Sequence, residues 1–468
     1  MVLNMKIRKY IGDKAFYKMV LAVVIPIIIQ NGITNFVGML DNIMVGRVGT
    51  EQMSGVAITN QLMFVFNICI FGSVSGAGIF TAQFFGCDNQ KGIRDTFRFK
   101  MISGIIICGL GFLIFGFFGE DLIRLYLHGE GVDGSLAETL RYAKQYLWIM
   151  LLGLIPFAVV QTYAGTLREC GETVFPMKAG VTAVLVNLLF NYILIYGKFG
   201  APRLGVEGAA IATVISRFAE LLVVVIWTHR HTDRFPFMIG AYRSLHIPGS
   251  LVGNIFKTGM PLLLNETLWS AGMAVMMQCY SIRGIDVVAG MNISTTVSNV
   301  FNVVFISMGN AVAIIIGQLL GAGKMEEAKD SDRKLIFFSV ASCVGVGLLL
   351  AAIAPFFPML YNTTDQVRRL ATSFICVAAL CMPLYACTNS TYFTLRSGGK
   401  TIITFFFDSG FAWVISIPVA YFLSRYTGVP IVGLYLICQS LELIKSIIGL
   451  VLVKKGVWIQ NIVETGNF

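Results

Sequence analysis

VLAVVIPIIIQNGITNFVGMLDNIMVGRVG, from Val20 to Gly49, decides how the rest of the chain is read. It begins as an apolar run of about 20 residues, the length that crosses a bilayer as a helix. The run ends on an acid, Asp41. A carboxylate is costly in hydrocarbon, so one at this place faces a protein interior or a water-filled cavity. The plainer alternatives are a headgroup contact or a cap on the next helix. Intramembrane acids are functional by default, which makes Asp41 the first candidate site residue.

Composition says the same of the whole chain. Its 468 residues are 56% hydrophobic and 13% charged, with a mean hydropathy of +0.76. Soluble proteins carry roughly 25% charge, so a polytopic membrane protein is expected, with no soluble domain of useful length. Met1–Lys18 holds five basic residues. The apolar run after it is a full span without a small-residue cleavage site, so no signal peptide is expected. The ten cysteines are scattered, without a Cys-x-x-Cys pair, and read as small core residues. A net charge of +10 suits nucleic acid in a soluble protein; here positively charged cytoplasmic loops explain it, and no nucleic-acid partner is expected.

Twelve candidate spans lie near residues 18–40, 54–80, 100–119, 141–163, 178–197, 206–228, 258–282, 288–316, 335–357, 370–394, 402–424 and 429–453. The N-terminus, the even-numbered loops and the C-terminus hold more than twice the Lys and Arg of the odd-numbered loops. Both termini are therefore expected in the cytoplasm. Gly86–Lys100 and Gly321–Lys334 read as the clearest basic loops, and the acidic Glu120–Tyr142 as an outer one.

The chain also repeats itself. Shifted by 235 residues without a gap, Pro26 meets Pro261, Gly49 meets Gly284, Asn67 meets Asn302 and Gln83 meets Gln318. Gly86 meets Gly321, Asp95 meets Asp330, and Arg98 meets Arg333. Thr166-Leu-Arg-x-x-Gly171 returns as Thr394-Leu-Arg-x-x-Gly399. An even number of helices per repeat keeps the second copy the same way up. The expected architecture is an all-α integral membrane protein of twelve helices in two pseudo-symmetric six-helix bundles. Transporters built this way place substrate between the halves and rock one half against the other. The expected divisions are residues 1–229 for the N-terminal lobe, 230–257 for a cytoplasmic linker, 258–453 for the C-terminal lobe and 454–468 for a cytoplasmic tail.

Pro26, Gln30, Asp41, Met44, Val45, Gly46 and Gly49 resemble the first-helix signature of the MATE (multidrug and toxic compound extrusion) transporters of the MOP superfamily. The repeated Gln-x-x-Gly and Leu-Arg-x-x-Gly motifs, and Asn187 with Leu204-Gly-Val-Glu-Gly-Ala-Ala-Ile-Ala-Thr213, extend the likeness over nearly the whole chain, nearest the bacterial NorM-type branch. The resemblance implies a multidrug efflux antiporter of the bacterial cytoplasmic membrane. It would export amphipathic, often cationic, organic compounds in exchange for Na+ or H+. A lipid-linked oligosaccharide flippase of the same superfamily is the alternative. The excess of acids over bases in the spans favours cationic cargo. No enzyme is expected: there is no Gly-x-x-x-x-Gly-Lys-[Ser/Thr], and the four histidines, His128, His229, His231 and His246, lie outside the spans in no ligand motif. No cofactor is expected beyond the coupling ion. The expected partners are small organic substrates and the bilayer, with the chain acting as a monomer.

In the family the counterpart of Asp41 takes part in cation coupling. One branch carries Asn-x-x-x-Asp on the fifth helix; here the pair is Asn187 and Asn191, an amide replacing the acid. The two share a helix face and are placed to bond Asp41 or to offer oxygens to Na+; interhelical hydrogen bonding is the plainer role. Glu266 resembles the seventh-helix acid of NorM-type members. Asp408, in the eleventh span, stands in for a tenth-helix acid that is missing here, or serves structural hydrogen bonding. With Asn265 these two acids form a candidate Na+ pocket, and no Lys or Arg is expected at their depth. Glu442 and Lys445 are spaced to pair on one helix face. Arg168 and Arg396 are expected to order cytoplasmic loops. Gln30, Trp269 and Tyr385 are the candidates for lining the substrate cleft.

Overall fold

The computed structural model describes residues 9–125, 133–361 and 363–465. Lys6, Arg8 and the middle of the expected acidic loop lie outside them. Helices follow one another as α1 (Lys14–Gly46), α2 (Thr50–Gly86), α3 (Gln90–Arg124), the two-part α4 (Asp133–Leu151 and Leu154–Glu169), α5 (Val174–Tyr196) and α6 (Val206–Arg230). The second series is α7 (Gly249–Ser281), α8 (Ile285–Gly321), α9 (Met325–Ile353), α10 (Asp365–Ser397), α11 (Thr401–Tyr426) and α12 (Ile431–Lys454), with a short α13 (Ile462–Thr465) after it. Among the described residues ten helices are long and apolar enough to cross a membrane, and α4, bent by 48°, makes an eleventh as one broken span. The twelfth, α7, has the length, but Asn265, Glu266 and Thr267 interrupt its apolar run.

Each expected span overlaps one of these helices, though 335–357 runs four residues past the end of α9 and 141–163 crosses the break in α4, and several helices run on into polar sequence. The basic "loops" are the plainest correction. Only three residues separate α2 from α3, and three separate α8 from α9. Arg94, Arg98, Lys100, Lys329, Arg333 and Lys334 are all helical. Hydropathy marks where hydrocarbon ends, not where the i to i−4 bonding of the backbone ends.

The chain divides into two compact units, which do not coincide with the sequence halves. Among the described residues, the N-terminal unit comprises those within 29–81 and 89–255; the C-terminal unit comprises 9–28, Ala82–Asp88 and those from Phe256 to 465. In the N-terminal unit α6 packs against α5 and both parts of α4, and α3 packs against α4. In the C-terminal unit α10 is central, contacting α8, α9 and α12. Its last turns, Ser390–Gly398, are buried on every side. Its hydroxyls there return bonds to their own helix, Thr391 to Cys387 O at 3.0 Å, Thr394 to Ser390 O at 3.0 Å and Ser397 to Phe393 O at 2.8 Å. That is how short polar side chains are satisfied where water is absent.

The repeated motifs now have physical reasons. Gly171 and Gly399 have φ of 83° and 74°, in the left-handed region that disfavours any side chain. Each closes the same helix ending. Gly171 N–H donates to Arg168 O and Glu172 N–H to Leu167 O, both at 2.9 Å; Gly399 N–H donates to Arg396 O and Lys400 N–H to Leu395 O. This 6→1, 5→2 pair is the Schellman motif, with glycine at the position that needs it.

The two Gln-x-x-Gly copies meet each other. A Cβ on Gly86 would strike the Gln318 carbonyl, and one on Gly321 would strike the Gln83 carbonyl, so the C-terminal ends of α2 and α8 cross backbone to backbone. Gln83 then clasps the tail: its Nε2 donates to Ser397 O at 2.9 Å and Gln460 O at 3.3 Å, and its Oε1 accepts from Ile462 N–H at 2.8 Å. Gly321→Ala is expected to lower stability by about 1–3 kcal/mol, the usual cost of overpacking. Gly345→Ala, where a Cβ meets nothing within 4 Å, should not lower it. Thermal unfolding of the purified variants checks this; equal melting points would refute the crossing.

The segment after α6 is bound to α3. Arg94 Nε donates to Phe237 O at 3.0 Å, and Arg98 donates to Ala241 O at 2.8 Å and Gly240 O at 2.9 Å. His229 and His231 also have partners, Tyr163 and the Trp227 carbonyl. All ten cysteines are free thiols.

Candidate functional site

Polar side chains inside the spans gather into one centre in each unit. In the N-terminal unit, α1 carries Asp41 beside Asn187 and Asn191 of α5. Asn191 Nδ2 donates to Asp41 Oδ1 at 2.6 Å and to Asn187 Oδ1 at 3.0 Å. Asn187 Nδ2 reaches Thr213 Oγ1 on α6 at 3.3 Å. With the Asn187 amide turned over, its nitrogen lies 3.0 and 3.1 Å from the two Asp41 oxygens. The three side chains therefore touch in either orientation. Asn187 and Asn191 are buried and Asp41 is partly exposed. Among the described residues no ion pair reaches Asp41. Asn191 Oδ1 is buried without a hydrogen-bond partner. A carboxylate held by amides, next to a free carbonyl oxygen, offers oxygen atoms and negative charge with no protein cation to cancel it. Such a centre suits a proton or a hard monovalent cation.

The centre of the C-terminal unit is built differently. Asp408 lies in a π-helical turn of α11, Phe406–Gly410, which a second such turn, Ala412–Ser416, soon follows. Wide turns of this kind often mark functional sites, because they turn side chains out of the α-helical register. Asp408 Oδ2 accepts from Asn265 Nδ2 of α7 at 3.0 Å. Asn265 Oδ1 accepts from Ser409 N–H at 3.2 Å and Ser409 Oγ at 2.8 Å. Glu266, next in sequence, is partly buried, and Arg396 and Asp408 are charges near enough to act on it.

The expectation that no base reaches this depth is corrected here. Lys445 of α12 is buried, and its Nζ lies 2.5 Å from Asp408 Oδ1. Its pairing with Glu442, expected from i, i+3 spacing, is present but longer, at 3.6 Å. Spacing along one helix finds the weaker partner, whereas the packing of α12 beside α11 supplies the stronger one. Arg396 is likewise buried in the unit.

The remaining candidates are dispersed. Gln30 packs on Gly180 of α5, where an added Cβ would lie 2.9 Å from its Nε2. Trp269 is 44% exposed. Tyr385 OH donates to Gln439 Oε1 of α12 at 2.6 Å. Among the described residues no group of three or more His, Cys, Asp or Glu is arranged to hold a metal.

Two further charged contacts escape sequence reasoning. Lys100 of α3 is fully buried, pairing with Glu169 and donating to Thr166 Oγ1 at 3.2 Å. In the other unit Thr394 Oγ1 donates to buried Asp332 of α9 at 2.5 Å. Both hydroxyls belong to the repeated Thr-Leu-Arg, so the two copies dock on the third helix of their half through charges of opposite sign. The motif was visible; its partners were hidden among charges that read as loop residues.

The MatE family model matches residues 26–193 and 261–422. A probable multidrug resistance protein NorM of Thermotoga maritima is 24% identical over 457 residues, 96% of this chain and 94% of that protein. The multidrug resistance protein MdtK of Edwardsiella ictaluri is 26% identical over 414 residues, 86% of this chain and 87% of that one. An outward-facing multidrug resistance MATE family transporter of the MOP superfamily superposes with a TM-score of 0.85 at 18% identity, covering 96% and 97% of the two chains. A variant of a Vibrio cholerae MATE transporter gives 0.84 at 14% identity, covering 95% and 99%.

Proposed function

The chain belongs to the MATE transporter family, and from that premise we propose that it is a secondary antiporter exporting amphipathic, mostly cationic organic compounds in exchange for H+ or Na+. It works by alternating access in a bacterial cytoplasmic membrane, as a monomer with both termini in the cytoplasm. The relatives named for multidrug resistance, all bacterial, support the cargo class and the membrane. The Lys and Arg bias of the sequence supports the orientation.

One observation carries the coupling. Asp41 has amide partners and no basic one among the described residues. A membrane-embedded carboxylate without a fixed counter-charge needs a mobile one. Asp41, with Asn187 and Asn191 as neighbouring oxygen donors, is the primary coupling centre. Glu266 contributes from the other unit, where three acids, Glu266, Asp408 and Glu442, face two buried bases, Lys445 and Arg396. Trp269, with its ring open, offers an aromatic face to cationic cargo. Gln30 in one unit and Tyr385 in the other are the polar side chains proposed to meet the cargo. The acid excess favours organic cations over the phosphate-bearing lipids of a flippase.

Purified protein in liposomes tests this. Ethidium should move against an imposed inward H+ or Na+ gradient and stop when that gradient is collapsed. Transport indifferent to both gradients, or flipping of a fluorescent phospholipid in place of ethidium movement, would overturn the proposal.

A further inference from the structure

The two centres neutralise their acids in opposite ways. Asp41 leaves an oxygen-rich environment open, whereas both carboxylate oxygens of Asp408 already hold a donor. Its Oδ1 accepts from Lys445 Nζ at 2.5 Å and its Oδ2 from Asn265 Nδ2 at 3.0 Å. The Asn265 carbonyl oxygen, the next ligand a cation would use, is occupied by Ser409 N–H and Oγ. The ammonium is held from its other sides by Glu442 Oε1 at 3.6 Å and by the Phe407 ring, whose centroid is 5.7 Å away. It stands where a hard cation, which gathers several oxygens at short range, would have to sit.

From this geometry we infer that Lys445 is the resident counter-cation of the C-terminal unit: its ammonium holds Asp408 and excludes sodium from that carboxylate. Lys445 is then a specificity-determining residue. It leaves sodium coupling, where it occurs, to acids other than Asp408, and it makes Asp408 a fixed part of the unit's charge balance rather than a port for the coupling ion. A Lys is a compact point charge on a flexible stem, able to mimic a bound monovalent cation in a way that the wider, planar guanidinium of Arg is not.

The inference rests on the antiport reading for its significance, but its test is an equilibrium measurement. A chain that failed to antiport in vesicles would still give an answer. The full-length protein in lipid nanodiscs, carrying Asp41→Asn to silence the other centre, is assayed for bound radioactive sodium displaceable by NaCl but not by choline chloride. Lys445→Met added to this background should create a displaceable sodium ion, and adding Asp408→Asn as well should remove it. Lys445→Met that folds, by its elution and melting profile, yet binds no additional sodium would overturn the inference. Should Lys445→Met not fold, the comparison between chains that keep Lys445 decides. Asp408→Asn should leave their sodium binding unchanged, and a loss there would show that sodium reaches Asp408 despite the lysine.

Discussion

Asp41→Asn is expected to abolish or sharply reduce gradient-driven efflux while leaving a folded protein in the membrane. The substitution is nearly isosteric. A carbonyl oxygen remains to accept the Asn191 Nδ2 hydrogen bond, now 2.6 Å long, so the packing of α1 on α5 survives. What disappears is the charge and the oxygen that can take up a proton. Coupling free energies between two sites are typically about 1–3 kcal/mol, or roughly 5–150-fold in affinity. Removing the charged partner should therefore slow ethidium transport by about tenfold or more at a fixed gradient. The measurement is the initial rate in proteoliposomes, normalised to protein that elutes as a single species. Passive ethidium binding should persist, because the uncoupled variant loses the driving ion and not the cargo. A variant with an undiminished rate and the same ion dependence would remove Asp41 from the mechanism.

Lys100→Met should produce the largest loss of stability. Lys100 has no exposed surface, and its ammonium sits between Glu169 and Thr166. Gly78 and Gly165 leave room for the Glu169 carboxylate. Methionine fills the lysine's volume but leaves that acid without its ammonium. Breaking a buried pair by removing one partner costs about 3–5 kcal/mol; the low end applies, because the Glu169 side chain is still 15% exposed. Thermal unfolding monitored by size-exclusion should show a clear drop in melting temperature. Lys100→Met with Glu169→Gln should recover most of it, since removing both charges removes the desolvation penalty. If the double variant melts no higher than the single one, the pair is not the source of the stability.

Much of this protein is written in its sequence at short range. Hydropathy over twenty or so residues finds ten spans and an eleventh across the break in α4, because the bilayer's thickness sets that length for any helix crossing it. The gap-free repeat, from Pro26 and Pro261 to Arg98 and Arg333, exposes the two-fold plan. The motif glycines could be found without a reason for them: the left-handed turns at Gly171 and Gly399 and the crossing of Gly86 with Gly321 supply it. Asn187 and Asn191, four residues apart, bond each other as helical spacing requires.

Charge pairing is where sequence reading stopped short. Spacing along α12 points Lys445 to Glu442, yet it lies nearer Asp408, 37 residues away. Lys100 reads as the end of a basic loop, yet it is fully buried, held by an acid 69 residues further on. A side chain's period along a helix determines which neighbours on that helix it can meet, and composition determines that the helix lies in the membrane. Which charge cancels which depends on the rotation and depth of one helix against the next, and these are set by packing of the whole bundle. The sequence by itself therefore determined most of the spans and the repeat, and it singled out Asp41, Glu266 and Asp408 as candidate acids. Only the tertiary structure decided that Asp41 is held by amides while Asp408 is held by a lysine, because a Coulomb interaction depends on distance through space and the chain's order does not encode that distance.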